Sequence, residues 1–361
     1  MESGRGFGFW VGYLGVTALL VLLLTEAGVR LLGLAPIPRA QNSNTMYIED
    51  AVLPYRLRPS ATIIGRSNTD EFDYSYLHNR LGFRDVERTI EKPLGVYRIL
   101  ALGDSFTYGI GVDFEDTFVH RLETSLNQRR GSHPRVEVIN AGIPRSYPET
   151  QRLLLEHYGL DFAPDLVLVH FLPNDVIDTY YGLDAVDVTE GGYLITSDAV
   201  RALEALPAPL RWIEGRCHLA HWLFTRVVTA RRERRMPVVW SDVYVENGAH
   251  EVAWQKLEKQ YAAMVEFASA HGIQIAFVHI PHGWPLDDSA AYPGRRLARF
   301  CEQQRVLCID LLAPIRAAQR ERELYWPRDG HANREGARVI ARGLFDALRD
   351  RVPSSPGGSA G

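Results

Sequence analysis

Only three cysteines, Cys217, Cys301 and Cys308, occur in 361 residues. An odd number excludes complete intramolecular pairing. No cysteine precedes Cys217, which argues against a lipid-modified N-terminal cysteine. In an exported domain Cys301 and Cys308 could pair; the simpler expectation is two buried thiols. There is no H-E-x-x-H motif and no paired C-x-x-C spacing, so no metal site is expected, and His279 and His282 read as structural. Lysine is nearly missing too, with only Lys92, Lys256 and Lys259, so the basic charge is carried by arginine. The formal net charge of −4 gives no reason to invoke nucleic acid.

What the chain has in quantity is apolar sequence. At 46% hydrophobic residues, 361 residues can bury a full core and still carry appendages. Phe7 to Leu24 contains no charged residue, a length sufficient to cross a bilayer as a helix. The simplest expectation is an anchor over residues 1–34. A cleaved signal peptide is the alternative, against which stands the missing small-residue cleavage pattern. Arg5 before the span and Arg30 and Arg39 after it decide orientation poorly.

Residues 35–95, rich in Pro, Asn, Ser and charge, read as a linker and a small irregular or β-rich cap. From Val96 short apolar runs recur at 96–102, 135–139, 166–171, 273–280 and 306–311, as buried parallel strands should. Helical stretches separate them. Phe118, Leu122 and Leu126 recur every fourth residue, Pro148 opens a helix ending near Gly159, and Trp254, Leu257, Tyr261, Met264 and Ala268 form a stripe closed by Gly272. A last helix is expected from Asn333 to about Arg349. This alternation predicts an α/β fold, a three-layer α/β/α sandwich around a five-stranded parallel sheet. The Pro-, Gly- and Ser-rich tail, residues 351–361, reads as disordered.

Two short motifs sit where such a sheet would bring them together. Gly103-Asp104-Ser105-Phe106-Thr107 follows the strand Ile99-Leu100-Ala101-Leu102, and Asp329-Gly330-His331 precedes the last helix. A serine hydroxyl becomes a useful nucleophile when an imidazole takes its proton and a carboxylate orients that imidazole. Parallel α/β sheets gather such groups at the carboxyl ends of their strands. Thr107 stands two residues after Ser105, so G-x-S-x-G is not the pattern. Taken singly, Gly-Asp-Ser is an ordinary turn, Asn174-Asp175 an ordinary loop opening and Asn333 a helix N-cap. Their joint, ordered occurrence carries the catalytic reading.

In these blocks the chain resembles the SGNH/GDSL hydrolases, from about Val96 to Leu348. The resemblance implies a flavodoxin-like strand order, a hydrolase domain over 96–350 and a serine esterase working through an acyl-enzyme. Gly103 to Gly109 matches the first block, with Ser105 the implied nucleophile. Leu172-Pro173-Asn174-Asp175 matches the third, implying that Asn174 donates to the oxyanion. Asp329-Gly330-His331 matches the last, implying His331 as base and Asp329 as its partner. In the second block, Asn140 to Ser146, family members often have a second glycine where this chain has Arg145. The implied oxyanion donors are therefore the amide of Ser105, the amide of Arg145 or of Gly142, and Asn174. Many members place Asp three residues before His; here the spacing is two. The segment Asn79 to Arg84 also resembles an element of anchored bacterial members, making Arg84 a candidate pocket-wall residue beside the plainer reading of a turn anchored by Phe83.

Residues 178–250 break the repeat and read as an insertion expected to overhang the site. Tyr180, Tyr181, Tyr193, Trp212, Trp222 and Trp240 could stack on sugar rings, line an acyl pocket or form the insertion's own core. Leu219, Trp222, Leu223 and Val227 share a helical face followed by Arg231, Arg232, Arg234 and Arg235. Such a stretch either rests on an anionic membrane or is a solvated helix end. The expected substrate is a small-molecule or glycan ester, with O-acyl, foremost O-acetyl, groups of an envelope carbohydrate or lipid as the expected target and no metal or organic cofactor. By resemblance to anchored relatives the catalytic domain is expected outside the cytoplasm. An O-acyltransferase using the same site, and a silent glycan-binding scaffold, are the alternatives, and the oligomeric state stays open.

Overall fold

The computed structural model describes residues 3–32, 46–67, 69–129, 133–182, 186–188, 194–196, 202, 205–235, 240–246, 250–283 and 286–353. The chain forms two compact units, one from residues 1–41 and 196–236, the other from 42–195 and 237–361.

In the first unit, α1 (Ser3–Leu31) runs seven residues beyond the apolar run that ends at Leu24. Within its segment Gly8–Leu31 an 18-residue window reaches a mean hydropathy of 2.0 with no residue buried, while Val29 near the end is buried. At 1.5 Å per residue it is about 36 Å long, against roughly 30 Å of bilayer hydrocarbon. Among the described residues one helix is thus long and apolar enough to cross a membrane.

The second unit opens with a cap. Strand β1 (Tyr47–Ile48) pairs with β2 (Arg56–Leu57), and β3 (Thr62–Arg66) with β4 (Asp73–Leu77), both antiparallel. Leu53, Tyr55, Leu57, Ile63, Tyr76 and Phe83 bury their side chains in a core shared with one face of the main sheet.

That sheet is built from β5 (Val96–Gly103), β6 (Arg135–Gly142), β7 (Leu166–Phe171), and, after a small pair β8 (Val186–Val188) and β9 (Leu194–Thr196), β10 (Gln274–His279) and β11 (Leu307–Asp310). The spatial order is β6-β5-β7-β10-β11 and every pairing is parallel. Successive main strands thus lie in the order 2-1-3-4-5, the flavodoxin-like arrangement expected. The β6 strand runs three residues past its expected end, because its register with β5 holds through Gly103 opposite Gly142.

Helices α4 (Pro148–Leu154), α8 (Glu251–Ala270) and α9 (Ala291–Gln304) cover one face through Leu154, Trp254, Tyr261, Met264 and Phe300. On the other face, α3 (Phe118–Asn127), α10 (Leu312–Gln319) and α11 (Arg334–Leu348) bury Leu122, Leu126, Ile315, Ile340 and Leu344. The fold is therefore a three-layer α/β/α sandwich. The helix opened by Pro148 does not stay regular to Gly159; it widens into a π turn over Leu155–Gly159. Gly159 lies against the sheet, where a Cβ would stand 2.8 Å from a methyl of Leu100.

At the amino end of the sheet Arg98 is fully buried and lies 2.8 Å from Glu137, its register partner on β6. Its remaining N–H groups reach the carbonyls of Ile90 at 2.8 Å and Phe162 at 2.9 Å. A buried guanidinium is tolerable only when so fully satisfied. The cysteines are thiols, with Cys301 buried and Cys308 partly so.

Candidate active site

In a 2-1-3-4-5 sheet the chain moves to opposite sides after its first strand, and a crevice opens between the carboxyl ends of strands one and three. Here those strands are β5 and β7, and they deliver Ser105 and Asn174.

Ser105 is the first residue of the single-turn helix α2 (Ser105–Tyr108). Asp104 caps it, accepting the Phe106 N–H at 2.9 Å, and Gly109 ends it at a φ of 90°, which glycine adopts without steric cost. His170 on β7, 3.0 Å from the Leu102 carbonyl and 3.1 Å from the Thr107 hydroxyl, secures this turn from below. Burial lowers its pKa to about 4, so the ring is neutral.

Across the crevice, Tyr325 pairs with Ala332 in an isolated antiparallel bridge, and the Trp326 N–H reaches the His331 carbonyl at 2.9 Å. The intervening loop turns at Gly330, whose φ is 85°. That turn folds the Asp329 carboxylate back onto His331, where Oδ1 lies 2.5 Å from Nδ1 and accepts the His331 amide at 3.3 Å. The two-residue spacing is therefore compatible with an Asp–His pair. On the other side of the ring, His331 Nε2 lies 2.8 Å from Ser105 Oγ. Burial pushes the Asp329 pKa up, but the hydrogen bonds and charge of His331 outweigh it and hold it below the usual carboxylate value.

The cap supports this loop. Glu71, in the β3–β4 connection, accepts the Arg328 amide at 3.0 Å and the Asp329 amide at 2.7 Å, while Phe72 packs on Trp326 with ring centroids 5.0 Å apart. Trp326 Nε1 in turn donates to the Gly111 carbonyl at 3.0 Å, just beyond α2. Arg84 is buried, its guanidinium 4.1 Å above the Tyr76 ring, and it donates to the carbonyls of Tyr108, Gly109 and Val112. It braces the segment after Ser105 instead of lining a pocket.

The second block resolves into two different jobs. Gly142 donates its amide to the Asn140 side chain at 3.1 Å and passes so close to α2 that a Cβ would stand 2.3 Å from the Tyr108 nitrogen. Its amide is thus already engaged within the block. Ile143 to Ser146 closes a turn through a 2.9 Å bond from the Ser146 amide to the Ile143 carbonyl. Pro144 sits at its second position and Arg145, at its third, has a φ of 67°. This is the position of a type II turn that favours glycine, a physical reason for the glycine often found there in the resembling family.

Asn174 begins α5 (Asn174–Tyr181). Its Nδ2 donates to Asp104 Oδ2 at 3.1 Å and to Asp178 Oδ2 at 3.2 Å. Its Oδ1 faces His282 Nε2 at 3.3 Å. Burial lowers the pKa of His282 to about 3, so this ring is neutral and Nε2–H donates to the carboxamide oxygen. His282, read from sequence as structural, thus sets which way Asn174 faces; its position just beyond β10, the neighbour of β7, was the available signal. His279 is different, lying on β10 itself and paired with Asp310 at 2.8 Å. Asp104 and Asp175 are both buried, and burial raises the pKa of each. Asp175 accepts the Leu172 amide at 3.1 Å and secures the turn.

Of the aromatic residues expected to overhang the site, Tyr180 and Tyr181 lie at the end of α5 with centroids 4.9 Å apart. Trp212 and Trp222 belong to the unit containing α1. Tyr193 and the Trp240 side chain lie outside what is described. Among the described residues no three His, Cys, Asp or Glu side chains group as a metal site would require.

No curated protein matches the chain. Among solved structures, a lipolytic protein of the G-D-S-L family from Veillonella parvula DSM 2008 is 12% identical, covering 70% of this chain and 98% of its own, with a TM-score of 0.42. Axe2, an acetylxylan esterase from Geobacillus stearothermophilus, is 14% identical over 70% of this chain and 94% of its own, with a TM-score of 0.44. The profile of the GDSL-like lipase/acylhydrolase family matches residues 101–339, from the strand before Ser105 to the helix after His331. The chain therefore belongs to the GDSL-like lipase/acylhydrolase family and is a hydrolase of ester bonds.

Proposed function

We propose that the protein is a serine esterase that removes small O-acyl groups, O-acetyl first among them, from a carbohydrate or lipid of the cell envelope, anchored by α1 with its catalytic unit on the extracytoplasmic side. The observation that carries the chemistry is the continuous hydrogen-bonded line Ser105–His331–Asp329, with contacts of 2.8 and 2.5 Å. In this mechanism His331 Nε2 takes the proton of Ser105 as Oγ attacks the acyl carbonyl. Asp329 holds the Nδ1–H tautomer and stabilises the imidazolium. The tetrahedral oxyanion is held by the Ser105 amide, the Arg145 amide and Asn174. His331 returns its proton to the departing alcohol, leaving an acyl-enzyme that water hydrolyses by the same steps. The apolar span supports placement at a membrane, and hence an envelope ester as substrate.

Asn174 acts under a constraint that yields a prediction. Both N–H groups of its carboxamide are taken by Asp104 and Asp178, so an oxyanion must replace one carboxylate. Asp178, partly buried against the fully buried Asp104, is the one to yield. Asn174→Ala is expected to lower kcat by about 10²–10³-fold, the usual loss for one oxyanion donor. Asp178→Ala removes a competing negative charge and is expected to raise kcat. Steady-state kinetics on one aryl acetate checks both signs; an Asp178→Ala enzyme slower than wild type at unchanged stability refutes the competition.

The substrate reading is tested with a panel of aryl esters from acetyl to dodecanoyl. The expected order has acetyl highest in kcat/KM with a steady fall as the chain lengthens. A rise toward long chains overturns the small-acyl assignment, and absence of fluorophosphonate labelling in folded protein overturns the acyl-enzyme itself.

A further inference from the structure

Helices α6 (Ala208–Glu214) and α7 (His218–Arg235) belong to the same compact unit as α1, and hydrogen bonds to Glu26 and from Arg30 fasten the start of α7 to it. Glu26, just past the uncharged part of α1, accepts the backbone N–H groups of His218 at 3.0 Å and Leu219 at 2.7 Å, and the Cys217 thiol at 3.2 Å. The first turn of a helix presents amides with no internal partner, and a carboxylate satisfies them well. Arg30 completes the joint, 2.5 Å from Glu26 and 3.3 Å from the Arg216 carbonyl. The start of α7 is thus held at the end of the apolar span, and loss of α1 would leave these amides without their acceptor. This favours α1 as a retained part of the protein over a leader that is removed.

Around that joint lies apolar surface that nothing described covers. Helix α6 exposes Leu210 at 50%, Trp212 at 60% and Ile213 at 40%, and α7 exposes Leu223 and Val227 one turn apart. Charge is one-sided: between residues 208 and 235 stand seven arginines against Glu214 and Glu233, with no lysine or aspartate. Four of the arginines, Arg231, Arg232, Arg234 and Arg235, end α7. Two others sit on indoles, Arg216 at 4.7 Å from the Trp212 ring and Arg226 at 5.4 Å from Trp222. Exposed tryptophan and leucine beside unbalanced arginine suit the boundary between acyl chains and anionic headgroups. Neither a helix that faces only water nor a purely electrostatic contact has a use for exposed tryptophan and leucine.

We propose that α6 and α7 lie in the headgroup layer of an anionic bilayer beside the end of α1, with Trp212 and Leu223 at the acyl boundary and the arginines toward lipid phosphates. The proposal rests on the reading of α1 as a membrane anchor and is independent of the catalytic assignment. The test uses the full chain reconstituted in vesicles of brominated phosphatidylcholine with or without phosphatidylglycerol. Emission of Trp212 is isolated as the difference between wild type and Trp212→Phe, and that of Trp10, inside the span, as the difference from Trp10→Phe. With phosphatidylglycerol present, bromine is expected to quench Trp212 at least twofold, and the effect should weaken when the four terminal arginines of α7 are replaced by glutamine. Quenching of Trp10 with Trp212 as bright as in unbrominated vesicles overturns the interfacial helices and leaves the anchor standing. Quenching of neither overturns both, while aryl acetate turnover of the same samples reports on the catalytic reading separately.

Discussion

Replacing Ser105 with alanine is expected to lower kcat on an aryl acetate by on the order of a millionfold and to erase fluorophosphonate labelling, with the thermal midpoint unchanged. The scale follows from triads that act as a unit, where loss of the nucleophile or of the base alone costs nearly as much as loss of both. Here the two are joined directly, His331 Nε2 to Ser105 Oγ at 2.8 Å. His331→Ala should therefore match Ser105→Ala, and the double variant should be hardly worse than either. Stability should be indifferent, because Ser105 is only partly buried and its hydroxyl supports no packing. A residual rate within about a hundredfold of wild type in the Ser105→Ala protein would remove serine from the mechanism.

Asp329→Asn is expected to lower kcat by about 10⁴-fold with little change in KM, the loss that accompanies a wrong imidazole tautomer in such triads. In the proposed mechanism the carboxylate, 2.5 Å from His331 Nδ1, accepts there and so keeps Nε2 free to take the serine proton. An asparagine can offer Nδ1 an N–H instead, leaving the proton on Nε2, where it blocks the base. The same residue carries a signature in stability. Its pKa in the folded protein is held below the unfolded value, since the bonds from His331 outweigh burial. Such a carboxylate stabilises the fold above the ordinary aspartate pKa, about 3.9, and that contribution disappears as pH falls through the lowered folded value. Urea unfolding at stepped pH should show part of the acid loss in wild type and less of it in Asp329→Asn. An Asn variant with near-wild-type kcat would show that the carboxylate does not set the tautomer.

Much of this arrangement was legible along the chain because it is written in local terms. Strands buried on both faces must be short apolar runs, and five of them appear where β5, β6, β7, β10 and β11 stand. Helix stripes at Leu122–Leu126 and Leu257–Tyr261 follow from the 3.6-residue period. The blocks around Ser105, Asn174 and His331 announce themselves as turns directly after strands or before a helix. Asn333, read as an N-cap, accepts the amides of Glu335 and Gly336 at 2.9 and 3.0 Å.

Other features depend on residues that meet only after folding, and no periodicity marks them. Glu71 stands 258 positions from the Asp329 amide it accepts, and Glu26 stands 192 from His218. His282 meets Asn174 only because β10 lies beside β7. The engagement of the Gly142 amide by Asn140, and the glycine-like φ of Arg145, are backbone facts that residue identity does not state. By itself the sequence determined the layers, the strand order implied by its family blocks, and which few polar residues stand at strand ends, since period and turn chemistry act within a handful of positions. Only the tertiary structure decided what braces the Asp329–His331 loop, which carboxylates accept from Asn174 and where α7 is fastened, because those choices belong to side chains meeting across large gaps in the chain, where packing and unsatisfied hydrogen bonds select the partner.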